Sequence, residues 1–361
     1  MKSRDCKRIL VRGPNWMGDL VMATPVFARI RASFPDAHIT CGLRPNLLPL
    51  LSNTPFFDAF LEMPQSKGLR RWPSFWAQVR TVRRGGYQLA IVLPNSLSSG
   101  WIMKLAGVPH RLGYRQGRPF TMNLGLTAEK NRGVFQRRHG PRRVPTPMPE
   151  YWGKLLDVME LPPRSADPSL HTSDAENAWI DAWLTDHGID PQARIVLLNA
   201  GANYGPSKLW VADRWVELAR HYRSNSAEPI FLAGPNETEM VAEIAAQAGA
   251  QWAFVPLDKL KALVGRSRLV VSTDTGPRHL ALGMRVPTVC LMGPNDPRYT
   301  NYALDRQVVL QKDLECVPCQ MKICPLGHQN CMKEITVGDV IEAADGLIER
   351  LSGLESQREA R

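Results

Sequence analysis

The chain has 361 residues, 44% of them hydrophobic, which is enough for two or three well-packed domains and excludes a disordered polypeptide. No apolar run approaches the ~20 residues needed to span a bilayer, and residues 9–11 are too short a stretch for a secretory signal, so a cytoplasmic protein is expected. The formal net charge of +11 favours anionic partners: nucleic acid, an acidic membrane surface or a phosphorylated substrate.

In chain order, residues 9–12 read as a strand. Residues 19–34 carry Leu20, Val21, Ala23, Val26, Phe27 and Ile30 at helical spacing. Short strands follow at 38–42 and 89–93. Between them lies a basic run with aromatics, Lys67, Arg70, Arg71, Trp72, Phe75 and Trp76, a mixture suited to a membrane–water interface. A second basic concentration spans 132–143. Breakers at 144–149, a helical stretch at 151–159 and Leu161-Pro-Pro place a domain boundary near 162–190.

The alternation then restarts. Strands are expected at 195–199, 229–233, 269–272 and 288–292, and helices at 213–222, 238–248, 257–264, 277–284 and 337–351. This pattern predicts α/β architecture with two doubly wound, parallel sheets, and a ligand held between the halves. The expected division is 1–175, 176–335 and a terminal helix with tail at 336–361.

Three strand-to-helix turns could carry chemistry. In LVVSTDTGPRH (269–279), a strand meets a helix opened by Pro277. Free N–H groups there form an anion site, Gly276 permits close approach, and Asp274 and His279 stand nearby. An Asp-capped turn is the plain alternative. In RGPNWMGDLVMATP (12–25), Asp19 sits at a sheet edge where a carboxylate can accept a hydroxyl proton, or simply cap a helix. The loop lacks both the G-x-G-x-x-G fingerprint and the Walker lysine. In NAGANYGPSKLW (199–210), Asn203 shapes an open loop and Lys208 offers a point charge for phosphate, or is an ordinary surface lysine. Residues 233–239 add Asn236, Glu237 and Glu239 as ribose-hydroxyl or dipole-stabilising groups.

Five segments carry a resemblance: GPNWMGDLVMATP (13–25), LPNSLSSGWIMKLAGVPHRLGYR (93–115), GANYGPSKLWV (201–211), STDTGPRHLA (272–281) and LMGPNDPRYT (291–300). In order and spacing the chain resembles the ADP-heptose:lipopolysaccharide heptosyltransferases of glycosyltransferase family 9, nearest their heptosyltransferase II branch. The resemblance implies a GT-B fold of two Rossmann-like domains facing across a cleft. It also implies inverting transfer of L-glycero-D-manno-heptose from ADP-heptose to the lipopolysaccharide inner core at the cytoplasmic face of the inner membrane. By it, Asp19 is the general base. Lys208 and the Thr275 and Gly276 N–H groups hold the diphosphate, with His279 near it. Asp274 contacts heptose hydroxyls, and Asn203 and Glu237 join the donor site. Arg111, Tyr114, Arg115 and Arg118 lie in or just after a segment that resembles the family's N-terminal domain, with Arg115 and Arg118 assigned to the anionic acceptor. No cofactor is required for this chemistry.

Cys316, Cys319, Cys324 and Cys331 form a C-x2-C-x4-C-x6-C set that predicts one structural zinc, with His328 as alternate ligand and unligated thiols as the plain alternative. Lying after the last expected strand, the cluster is expected away from the edge bearing Lys208 and Asp274. Competing readings are a relative using another nucleotide-linked sugar and a basic, zinc-bearing nucleic-acid-binding protein. The absence of a recognisable DNA or RNA module argues against nucleic acid.

Overall fold

The computed structural model describes residues 6–66, 68, 71–130 and 143–359. Lys67, Arg70 and the basic run at 132–142 lie outside them. The described residues form two compact units, 6–130 with 143–168, and 169–359. The second unit includes the terminal helix Val337–Glu359, which packs on its sheet and on the helix Ala212–Ser224.

The first unit is built on a five-stranded parallel sheet. Its strands are β1 (Arg8–Arg12), β2 (His38–Leu43), β3 (Ala59–Glu62), β4 (Leu89–Val92) and β5 (His110–Gly113), in the order β3-β2-β1-β4-β5. β1, β2 and β4 are apolar and almost wholly buried, as strands covered by helices on both faces must be. The helical pattern at 19–34 is two helices, Met17–Met22 and Thr24–Ser33. Pro25 has no N–H to give to the Val21 carbonyl, which instead accepts the Thr24 hydroxyl at 2.8 Å. From Arg71 on, the aromatic-basic run is the start of a helix, Arg71–Arg84, which buries Val79 and Val82 and leaves Trp72 and Trp76 exposed.

The second unit holds a six-stranded parallel sheet in the order β11-β10-β9-β6-β7-β8. Here β6 is Ile195–Asn199, β7 Glu228–Leu232, β8 Gln251–Ala253, β9 Leu269–Thr273, β10 Thr288–Leu291 and β11 Gln307–Leu310. Trp215, Phe231, Val271 and Val340 lie in its core. The helix Asp174–Asp186, absent from the sequence expectation, starts with a Ser173–Glu176 capping box.

In each sheet the strand order reverses once, between β1 and β4 and between β6 and β9. The neighbouring crossovers leave in opposite directions there and open a crevice at the carboxyl ends of the strands. Among the described residues, no helix is long and apolar enough to cross a membrane.

Candidate active site

The turn after β9 lies at the reversal point of the second sheet, and its centre is Asp274. The Lys208 Nζ donates to the Asp274 Oδ2 at 2.9 Å and to the Asp274 carbonyl at 2.6 Å. The Arg278 guanidinium donates to Oδ1 at 2.8 Å, and the Asn295 amide to Oδ2 at 2.6 Å. Arg278 is itself held by Gln307 and Thr300. All of Lys208, Asp274 and Arg278 are buried. Burial opposes ionisation of Asp274, but Lys208 and Arg278 outweigh it and hold the carboxyl well below the usual range. Lys208 thus faces the same turn as Asp274. Both carboxylate oxygens, expected to meet sugar hydroxyls, are engaged by protein donors.

The helix Gly276–Gly283 begins immediately beyond. The Thr275 N–H turns back to the Thr273 carbonyl at 2.7 Å, which leaves Gly276 as the first helical N–H. First-turn N–H groups have no acceptor within their helix, so an anion at this turn would meet the Gly276 N–H and the dipole. Asn199, at the end of β6, donates to the Ser272 and Thr275 hydroxyls at 3.1 and 2.9 Å and fixes this turn. The His279 Nδ1 lies 2.5 Å from the Tyr302 hydroxyl. Burial first, then Arg278, lowers the His279 pKa to about 3, so the ring is neutral. Glu237 sits against the same edge: its Oε2 accepts the Gly234 N–H at 3.1 Å, and a Cβ on Gly201 would fall 2.1 Å from that oxygen. Asn203 is exposed on the loop.

The first unit presents a different carboxylate at its own reversal point. Asp19 lies in the first turn of Met17–Met22, whose cap is Trp16, so the side chain is not the helix cap. Asp19 is half-buried, and desolvation raises its pKa to about 6 against the pull of Arg143. The Arg143 guanidinium stacks 4.0 Å from the Tyr151 ring. Tyr151 stacks on Tyr114 with centroids 3.9 Å apart, and its hydroxyl accepts from Asn95 at 3.0 Å. Arg115 is exposed. Arg118 is the other residue assigned to the acceptor from the sequence. It is buried and donates to the Tyr114 carbonyl at 2.7 Å and to the Ser96 carbonyl at 3.2 Å, clamping the loops after β5 and β4, and to the Ser99 hydroxyl at 3.1 Å.

A family model described as glycosyltransferase family 9 (heptosyltransferase) matches residues 75–330, more than half of the chain. The chain belongs to glycosyltransferase family 9. Lipopolysaccharide heptosyltransferase 2 of Escherichia coli K12 is 26% identical over 303 residues, covering 81% of this chain and 84% of that one. Lipooligosaccharide heptosyltransferase 2 of Haemophilus ducreyi is 25% identical over 359 residues, with 94% and 99% covered. The solved E. coli ADP-heptose LPS heptosyltransferase II superposes with a TM-score of 0.76 at 23% identity, covering 96% of this chain and 99% of that one. A family 9 glycosyltransferase of Veillonella parvula gives 0.81 at 22%, covering 96% and 98%. These likenesses place the two parallel sheets in the GT-B class of glycosyltransferase folds, as expected from the sequence.

In this family 9 glycosyltransferase the Cys-rich segment lies where the sequence did not place it. β11, which was not anticipated, runs parallel to β10 and delivers the chain to the same carboxyl edge as Lys208. From there residues 320–322 bind the Lys208 loop directly. Cys331 is buried and close enough to Cys316, Cys319 and Cys324 for their charges to raise its pKa, after burial, to about 11. Yet among the described residues no group of three or more His, Cys, Asp or Glu side chains is arranged to hold a metal ion. His328, the alternate ligand read from the spacing, accepts the Asn330 N–H at 3.0 Å. The sequence reading also missed Arg278 and Asn295, although both stand in the quoted motifs. Their link to Asp274 depends on the fold.

Proposed function

We propose that this heptosyltransferase-family enzyme moves L-glycero-D-manno-heptose from ADP-heptose to the inner core of lipopolysaccharide, with inversion at the anomeric carbon. The observation that carries the reading is the buried Lys208–Asp274–Arg278 cluster beside the first turn of Gly276–Gly283. Two cations, one carboxylate and a helix N-terminus make a positive, preorganised site suited to a diphosphate. E. coli heptosyltransferase WaaC, with a TM-score of 0.65 at 17% identity, has been solved with ADP, and at 0.63 and 18% with ADP-2-deoxy-2-fluoro heptose. The lipopolysaccharide and lipooligosaccharide heptosyltransferase 2 relatives supply the acceptor class.

In this reading Asp19 takes the proton of an acceptor hydroxyl as the oxygen attacks the anomeric carbon. The bond from that carbon to the diphosphate oxygen breaks, and ADP leaves with the bonding pair. Lys208 and the Gly276 N–H meet the charge that grows on the leaving group, where a fixed donor contributes most. Asp274 holds Lys208 and Arg278 in place, and Arg115 is free to meet the anionic acceptor.

The acceptor is lipid-anchored, so the enzyme is read as peripheral at an anionic membrane. The surface that supports this is the helix Arg71–Arg84. Trp72, Trp76, Arg80 and Arg84 recur every fourth residue on one face, and Trp72 is 69% exposed. On the adjacent helix Leu97–Leu105, the Lys104 ammonium sits 5.1 Å from the Trp101 ring. Exposed tryptophans flanked by cations suit the headgroup region. Purified enzyme given ADP-heptose and deacylated core should add one heptose, read by mass spectrometry, with the product's anomeric configuration opposite to the donor's. Transfer only from another nucleotide sugar would overturn the donor assignment.

A further inference from the structure

We propose that Lys322, carried by the Cys-rich segment, is a second cation for the donor's diphosphate; the inference rests on the donor reading above. The first observation is the way the segment grips the Lys208 loop. The Ser207 N–H donates to the Lys322 carbonyl at 3.2 Å, and its hydroxyl to the Met321 carbonyl at 2.6 Å. The Tyr204 hydroxyl donates to the Gln320 carbonyl at 2.8 Å. From the other end of the segment, the Gln329 amide reaches the Pro206 and Leu209 carbonyls at 2.7 and 3.0 Å. Gly205 adopts φ +159°, and a Cβ there would lie 2.5 Å from the Lys322 carbonyl, so the contact demands glycine. The two stretches are locked backbone to backbone, which fixes where the Lys322 side chain starts.

The second observation is where that side chain ends. The Lys322 Nζ lies 5.5 Å from the centroid of the Tyr204 ring, and the Lys208 Nζ lies 4.8 Å from the same centroid. One ring therefore carries both ammonium groups. Lys322 is exposed, and among the described residues it has no carboxylate partner.

The third is charge. Lys208 and Arg278 against Asp274 leave the buried cluster with one net positive charge. A nucleotide sugar's diphosphate carries two negative charges, and departing ADP more. The cluster alone is one charge short, and the shortfall grows as the leaving group departs. Lys322 is an uncompensated cation beside it among the described residues. Lys322 is exposed, whereas the Lys208 ammonium is already held by Asp274.

The test is calorimetric binding of ADP and adenosine to the full-length enzyme and its Lys322→Ala, Lys322→Glu and Lys322→Arg variants. Removing one phosphate contact of this kind is expected to weaken ADP about tenfold. Glu should weaken it further, and Arg should restore most of it. The slope of log affinity against log salt should flatten in Lys322→Ala. Adenosine has no phosphate, and its binding should be unchanged throughout. A Lys322→Glu variant that binds ADP as tightly as wild type would overturn the proposal. So would equal losses for ADP and adenosine with a lowered melting temperature, since that marks a merely structural contact. Wild-type enzyme that prefers another nucleoside diphosphate over ADP would sink the donor reading while leaving the Lys322 comparison readable with that ligand. Wild-type enzyme that binds no diphosphate would sink both.

Discussion

Asp19→Asn should slow the enzyme and stabilise it at once. Desolvation lifts the Asp19 carboxyl from the ordinary 3.8 to about 6, so the folded first unit favours the protonated form. Such a rise corresponds to about 3 kcal/mol of bias against the charge. Because Asp19 is half-buried, solvent relaxation reduces what can be recovered to about 1 kcal/mol. The sign is fixed by linkage. A folded pKa above the unfolded one makes the contribution fully present below pH ~4, and it is lost as pH rises through about 6. The neutral Asn carries no such loss, so above pH 7 its melting temperature should rise by about 2–4 °C. Turnover should fall on the order of 10²–10⁴-fold, the usual worth of a positioned base. The wild-type pH–rate profile should fall about tenfold per pH unit below about 6, where an unperturbed aspartate would remain flat. Arg143 opposes the rise, so Arg143→Met should move that limb to higher pH. Stopped-time transfer assays across pH, with scanning calorimetry of both variants, read all of this. Near-normal turnover in Asp19→Asn, or a lower melting temperature, would refute the reasoning.

Asp274→Asn leaves Lys208 and Arg278 buried without their counter-charge and should cost about 3–5 kcal/mol, read as a depressed denaturant midpoint. Since the folded Asp274 pKa is depressed, its stabilisation is present above the unfolded value and should not vary between pH 5 and 8. His279, held near 3 against an ordinary 6.5, makes the opposite demand: stability should fall by about 1.4 kcal/mol per pH unit below 6.5 as the unfolded chain takes the proton. His279→Gln should flatten that slope in urea titrations at pH 5 and 7, and an unchanged slope would show that the ring titrates normally. Arg80→Glu with Arg84→Glu should weaken sedimentation with phosphatidylglycerol vesicles by about 1 kcal/mol per residue, while transfer to a delipidated acceptor persists; equal binding to neutral vesicles would remove the membrane role.

How far the sequence could be read depended on how local the cause was. β1, β6 and β9 are apolar runs bounded by glycine-rich turns, and they were legible because a central parallel strand must be apolar on both faces. β3, β5 and β8 are short edge strands with part-exposed residues, and their sequences carry no such signal. Missing β11 had the largest consequence, for it put the Cys-rich segment at the wrong end of the sheet. The turn at Asp274 was legible as a place, from Gly276 and Pro277. Its chemistry was not, because Asn295 and Lys208 reach it from 21 and 66 residues away in the chain. Arg118 was assigned to the acceptor from its place in a basic loop, and only its carbonyl and hydroxyl partners show why it is buried.

The two aspartates at the two reversal points sit in environments that drive the same side chain in opposite directions. Asp274 receives two buried cations and an amide, and it stays ionised at any working pH. Such a group cannot act as a base; what it can do is fix Lys208 and Arg278, so that a positive site exists before the donor arrives. Among the described residues Asp19 has burial without a matched donor set, and its carboxyl is raised to about 6. That is the condition for taking a proton from a hydroxyl as it attacks. Where environments drive two carboxyls in opposite directions, the roles divide accordingly. The division also predicts which exchange is tolerable. Replacing Asp19 should spare the fold and stop the reaction, whereas replacing Asp274 should first loosen the second unit and impair catalysis only through the misplaced Lys208.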